Sequence, residues 1–196
     1  MRSAVRPNRP GRHALAGRIP PGNGSGGGRP AGSGEQPRTL RPEVNKLRVM
    51  DALRQAAIFH FAGHGRLSAT DGFRTGLQMA GGDVLAAAEL LELNSPARLA
   101  VLSGCETGVS DRMEGDELFG MVHALLYAGV NTLLVSQWRV GDASTRALLT
   151  AFYRCAYGAE RLPPVLALQQ AMREVYKDFP EEGFYHWGAF AVIGAP

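Results

Sequence analysis

Two residues of this chain pair a nucleophile with a base: Cys105, in the turn Gly104-Cys105-Glu106-Thr107-Gly108, and His64, in Gly63-His64-Gly65. A thiol attacks only as its thiolate, so a catalytic cysteine needs a neighbouring base, a cation or a helix N-terminus to activate it. Glycines beside both residues let the backbone approach a substrate closely and leave N–H groups able to point at a developing oxyanion. Most cytosolic cysteines are small core residues instead. The polar turn around Cys105 argues against that alternative here.

The other candidate groups point to structural work. His60 and His64 stand four residues apart on an extended segment, about 13 Å at the usual strand rise, too far to share one metal ion. No metal site and no cofactor is expected. His60 is expected to fill a sheet face, His123 lies on an amphipathic helix, and His186 precedes the last strand. The acids Asp111, Glu114, Asp116 and Glu117 read as a solvated helix start, where the helix dipole favours negative charge; the alternative is a patch that attracts a basic substrate side chain. Cys155, between apolar neighbours in a helix, reads as core.

The elements that would carry these residues follow from apolar patterning. Val44, Leu47, Met50 and Leu53 recur at helical spacing up to about Gln55. The runs Ala56 to Ala62 and Arg98 to Ser103 are short, apolar and closed by glycine, the pattern of strands buried on both faces. Between them a hairpin is expected over residues 66–82, with Gly76 to Ala80 as a strand, followed by a helix from Leu85 to Leu93. A helix through Leu118, Val122, Leu125 and Leu126 should end at Gly129, and Asn131 to Ser136 forms a third buried strand. Helices at about 143–156 and 163–176 and a final strand from Trp187 to Ile193 complete the reading. Strands separated by helices imply a mostly parallel α/β sheet with helices on both faces, whose site lies at the carboxyl ends of the strands. His64 and Cys105 both stand just past such ends.

In that order, Phe59-His60-Phe61-Ala62-Gly63-His64-Gly65, Leu102-Ser103-Gly104-Cys105-Glu106-Thr107-Gly108 and Gly115-Asp116-Glu117-Leu118-Phe119-Gly120 resemble the motifs of CHAT domains, caspase-like modules often found beside TPR repeats. The resemblance continues through Val135-Ser136-Gln137-Trp138-Arg139-Val140 and Trp187-Gly188-Ala189-Phe190, over roughly residues 44–194. It implies a caspase-like fold and cysteine-type peptide-bond hydrolysis, with His64 and Cys105 as the dyad and the amides of Gly65 and Cys105 as the oxyanion hole. It also implies that Ser136, Gln137 and Trp138 line a substrate groove. Trp138 reads equally as a core aromatic, and Asp142 as an N-cap. Gly63 and Gly104 depart from the family, which often has threonine and alanine there.

Composition frames the rest. Residues 1–42 hold eight arginines against one acid, Glu35, a balance of +7, whereas residues 43–196 carry 13 basic and 17 acidic groups, a balance of −4. The folded part therefore carries no basic footprint for nucleic acid. Seven of the twelve prolines and a glycine run from Gly22 to Gly28 fall in residues 1–42, which predicts a disordered Arg/Gly/Pro-rich tail before a domain at 43–196. The tail reads as a regulatory arm or as a misassigned start. The sheet is then expected to lack one or more strands on the His64 side, leaving an edge that another chain, such as a TPR-containing or other regulatory partner, would complete. Neither a membrane span nor a signal-peptide core is visible, which makes the expected location cytoplasmic. Two expectations follow: a regulated cysteine endopeptidase of narrow specificity acting on a protein or peptide, or an inactive CHAT-like module that binds a peptide without cutting it.

Overall fold

Three strands, Ile58–Ala62, Leu99–Ser103 and Thr132–Ser136, are buried on both faces because their side chains, nearly all apolar, meet a helix layer above and another below. The computed structural model describes residues 13–17, 38–40, 44–66, 75–79, 82–103, 116–138, 140–180 and 184–195. A six-stranded sheet contains β1 (His13–Gly17), β2 (Arg38–Leu40), β3 (Ile58–Ala62), β7 (Leu99–Ser103), β8 (Thr132–Ser136) and β9 (Phe190–Gly194), in the spatial order β2-β1-β3-β7-β8-β9. Every pairing is parallel except that of β9, which runs antiparallel to β8 along one edge. A small antiparallel sheet of β4 (Gly65–Arg66), β5 (Gly76–Gln78) and β6 (Val84–Ala86) follows β3.

Residue parity divides the core in two. Phe59, Phe61, Ala100, Leu102, Leu133 and Val135 face α1 (Lys46–Gln55), α2 (Ala87–Leu90) and α3 (Asp116–Tyr127), packing on Val49, Leu53, Leu90 and Leu125. Ile58, Leu99, Val101 and Leu134 face the opposite layer, α4 (Asp142–Tyr157) and α5 (Pro164–Asp178), where Leu148, Phe152, Ala167 and Ala171 close the core. A last short helix, α6 (Phe184–Trp187), leads into β9. Cys155 is buried in the second layer, as its apolar neighbours imply.

Local signals explain several boundaries. Asn45 caps α1 by accepting the Arg48 N–H at 3.0 Å. Gly129 ends the chain's third helix at φ +99°, in the left-handed region glycine tolerates, and an added Cβ would lie 2.9 Å from the Ser95 carbonyl oxygen. Lys46 on α1 pairs with Glu89 on α2 at 3.0 Å, and Arg154 on α4 pairs with Glu174 on α5.

The structure corrects four readings. The helix expected over 85–93 is a strand and a single turn, because residues 84–86 pair with β5 before α2 begins. The last strand starts at Phe190; Trp187 ends α6. On α1 the buried stripe runs through Val49 and Leu53, while Leu47 is 71% exposed. Two strands also fall inside the segment whose composition predicts no order: β1 and β2 stand outside β3, where the sheet was expected to be short. The compositional average over 42 residues hides the local window His13-Ala14-Leu15-Ala16-Gly17, which satisfies the ladder of β3 through the register His13 to Ile58 and Gly17 to Ala62. The rest of residues 1–43 lies outside the described residues. Among those described, no helix is long and apolar enough to cross a membrane.

Candidate active site

The carboxyl ends of β3 and β7 lie side by side, because the two strands are adjacent and parallel with Ala62 opposite Ser103. His64 stands two residues beyond Ala62, and Cys105 is two residues beyond Ser103 in the chain. Cys105 itself, with Gly104 and the acids Asp111 and Glu114, lies outside the described residues, as do the side chains of Asp116 and Glu117 and all of Arg139.

His64 is exposed, and its carbonyl accepts the Gln78 N–H at 2.8 Å, which anchors the loop to the small sheet. Gly63 donates its N–H to the Ser103 carbonyl at 3.1 Å, extending the β3–β7 ladder one residue past the strands. Gly65 opens β4, opposite Leu77. The space beside Gly63 is filled by a neighbour: an added Cβ would lie 2.9 Å from the ring of Phe61. The departure at Gly63 thus has a partner in the buried phenyl ring, which occupies the place a larger side chain would need.

The three groove candidates follow β8. Ser136 is buried at the end of that strand, and its hydroxyl donates to the Trp138 carbonyl at 2.6 Å. Gln137 has an exposed side chain, while its N–H donates to Ala189 O at 2.7 Å. Trp138 is half-buried, donates its indole N–H to Tyr185 O at 2.9 Å, and meets Phe184 edge-on with ring centroids 5.8 Å apart. The turn is therefore tied to α6, with Gln137 presenting its side chain outward. Asp142 is the first residue of α4 and not its cap; Gly141 occupies the cap position without a side chain to fill it. As an acid in the first turn, Asp142 still faces the favourable end of the helix dipole.

Between the ends of β3 and β7 and helix α4 lies a buried polar chain that the sequence alone did not assemble. His60 Nε2 is 2.9 Å from Ser103 Oγ, and His60 Nδ1 is 3.1 Å from the Tyr153 hydroxyl. His60 is 5% exposed, and burial lowers its pKa from 6.5 to about 4, so the ring is neutral at physiological pH. Burial also raises the Tyr153 phenol above its ordinary value, assisted by the nearby Tyr157. His60 was expected to fill a sheet face and does so. The signal for its partner was Ser103, a lone hydroxyl closing an otherwise apolar strand; Tyr153 gives no sequence signal beyond a polar atom on a buried helix face. A second buried pair, His186 Nδ1 to Ser144 Oγ at 2.8 Å, holds α6 to the first turn of α4. His123 lies on the surface of α3 beside Tyr127, in a shallow groove with Ala88, Leu91 and Glu92 of the α2 region.

Comparison with known proteins places this arrangement. A family model described as CHAT domain matches residues 15–195, from within β1 to the end of β9. Tetratricopeptide repeat protein 28 of Mus musculus is 28% identical over 189 residues, covering 78% of this chain and 8% of the relative. The Homo sapiens protein of the same name is 30% identical over 112 residues, covering 57% of this chain and 4% of the relative. The chain thus spans less than a tenth of the length of either relative.

Proposed function

The chain belongs to the CHAT domain family, a caspase-like, peptidase-related group, and on that premise we propose that it is a cysteine endopeptidase acting through His64 and Cys105. The observation that carries the reading is the register of β3 and β7. With Ala62 opposite Ser103 and neighbouring strands about 4.8 Å apart, the strand ends from which the chain runs on to His64 and to Cys105 are adjacent, which supports a shared site.

In this reading His64 takes the thiol proton of Cys105 as the sulfur bonds to the scissile carbonyl carbon, and the carbonyl oxygen becomes an oxyanion held by the N–H groups of Gly65 and Cys105. Collapse breaks the C–N bond as His64 gives a proton to the leaving amine, leaving a thioester on Cys105. Water, deprotonated by His64, then adds to the thioester carbonyl; the C–S bond breaks, the acyl part leaves as a carboxylic acid, and the proton on His64 returns to the sulfur. The exposed Gln137 side chain and the backbone around it offer contacts to an extended peptide, with Ser136 and Trp138 holding that turn in shape. The TPR-repeat relatives support a regulatory partner of TPR type, in the same chain or another.

A peptide electrophile directed at thiols is expected to label Cys105, and Cys105→Ala to abolish labelling in a protein whose circular dichroism is unchanged. Absence of labelling in the folded protein, across varied peptides and with a TPR partner supplied, refutes the peptidase. Peptide binding that persists in Cys105→Ala without cleavage by the parent protein would establish the binding module instead.

A further inference from the structure

We propose that Ser103 and His60 form a positioning pair that sets the separation of the histidine and cysteine loops, with Tyr153 holding the imidazole in place; the proposal rests on the dyad reading above. Ser103 is the last residue of β7 and contacts the histidine strand twice. Its carbonyl accepts the N–H of Gly63, the residue before His64, at 3.1 Å, and its hydroxyl meets His60 Nε2 at 2.9 Å. The next residue but one along the chain is Cys105. The roots of both loops are thus joined by one residue through one backbone and one side-chain bond.

The side-chain bond runs diagonally. His60 stands opposite Val101 and Ala62 opposite Ser103, so the imidazole reaches one step along its own face toward the carboxyl edge. That reach fixes the ring only if its other nitrogen is also held, and the Tyr153 hydroxyl on α4 supplies the hold at 3.1 Å, the two rings lying 5.8 Å apart. A neutral imidazole has one N–H, so the chain has a direction. A Tyr153 hydroxyl that donates to Nδ1 leaves the Nε2–H for Ser103 Oγ; the reverse order has Ser103 donating to Nε2 and Nδ1 donating to the phenol oxygen. In both orders each nitrogen is satisfied, and the pair resists a change in loop spacing because parting it leaves buried polar atoms without partners. An apolar pair of the same size would hold the core together without fixing that spacing.

The test measures the rate at which iodoacetamide alkylates Cys105, resolved from Cys155 by mass mapping, as a function of pH, alongside kcat and KM for any cleaved peptide. Ser103→Ala is expected to lower the alkylation rate at neutral pH about tenfold, and kcat similarly with KM held, since loosening reacting groups by a fraction of an ångström is costly. Ser103→Thr, which keeps the hydroxyl, is expected to return both to within about twofold of the parent. Should Ser103→Ala fail to fold, Tyr153→Phe removes the hydroxyl and keeps the ring, with a loss in the same direction. A pH profile unchanged by Ser103→Ala or by Tyr153→Phe overturns the proposal, as does a Ser103→Thr variant as slow as Ser103→Ala. A profile that responds to His64→Ala but to neither Ser103→Ala nor Tyr153→Phe defeats the positioning pair alone. One that ignores His64→Ala defeats the dyad beneath it.

Discussion

Acid should weaken this fold through one buried imidazole. His60 is packed between β7 and α4, faced by Ser103 and by Tyr153, whose neighbour Tyr157 lies 6.2 Å away ring to ring. Burial lowers its pKa from 6.5 to about 4, so the unfolded chain takes up a proton in a range where the folded chain does not. The stability this ring permits is therefore complete above pH 6.5 and lost as pH falls toward 4. At about 1.4 kcal/mol per unit, the loss is about 2 kcal/mol from pH 7 to 5 and about 3 kcal/mol from pH 7 to 4. That is a large share of the roughly 5–15 kcal/mol of a typical domain. Urea unfolding followed by circular dichroism at half-unit pH steps measures it, with His60→Gln as the control. Glutamine places an amide nitrogen near the Nε2 position and does not titrate. The substitution changes stability at every pH through lost packing, so the quantity that decides is the difference in slope. The parent should lose about 2–3 kcal/mol more than His60→Gln between pH 7 and 4. Parallel curves would show that His60 titrates normally in the folded protein, and that the buried chain is open to water.

Three substitutions test the packing. Phe152→Ala empties a fully buried position between α4 and the sheet and should cost about 3–5 kcal/mol, read as a fall in urea midpoint. Gly129→Ala forces a left-handed residue against the Ser95 carbonyl and should cost about 1–2 kcal/mol, or more if that contact cannot relax; an unchanged thermal midpoint would contradict the geometry. Gly63→Thr must displace the Phe61 ring and should cost about 1–3 kcal/mol, while Gly63→Thr combined with Phe61→Leu should recover part of the loss.

Much of the architecture was legible because the strands write it directly. Ile58 to Ala62, Leu99 to Ser103 and Thr132 to Ser136 are short apolar runs, and strands buried on both faces need side chains of that kind. Long helices were equally readable, since α4 and α5 keep their buried residues at helical spacing. Short elements were not: Leu85 and Leu90 fit a helix by pattern, and only the pairing of residues 84–86 with β5 assigns the first half to a strand. The outer strands β1 and β2 were hidden for a related reason. Their ladders, β1 on β3 and β2 on β1, are formed by residues distant in sequence, so a reading of local composition averages them away.

By itself the sequence determined that His64 and Cys105 each follow a buried strand and belong to motifs of one family. Apolar runs closed by glycine are enough for the strands, and the ordered motifs around the two residues carry the resemblance to the family. Tertiary structure decided which strands are neighbours and in what register, and so brought Ala62 opposite Ser103. It alone decided that Ser103, His60 and Tyr153, from two strands and a helix, meet in one buried chain of hydrogen bonds. Hydrogen-bond partners 43 and 93 residues apart leave no periodic trace, since their meeting depends on the order of strands in the sheet and on the face to which α4 docks.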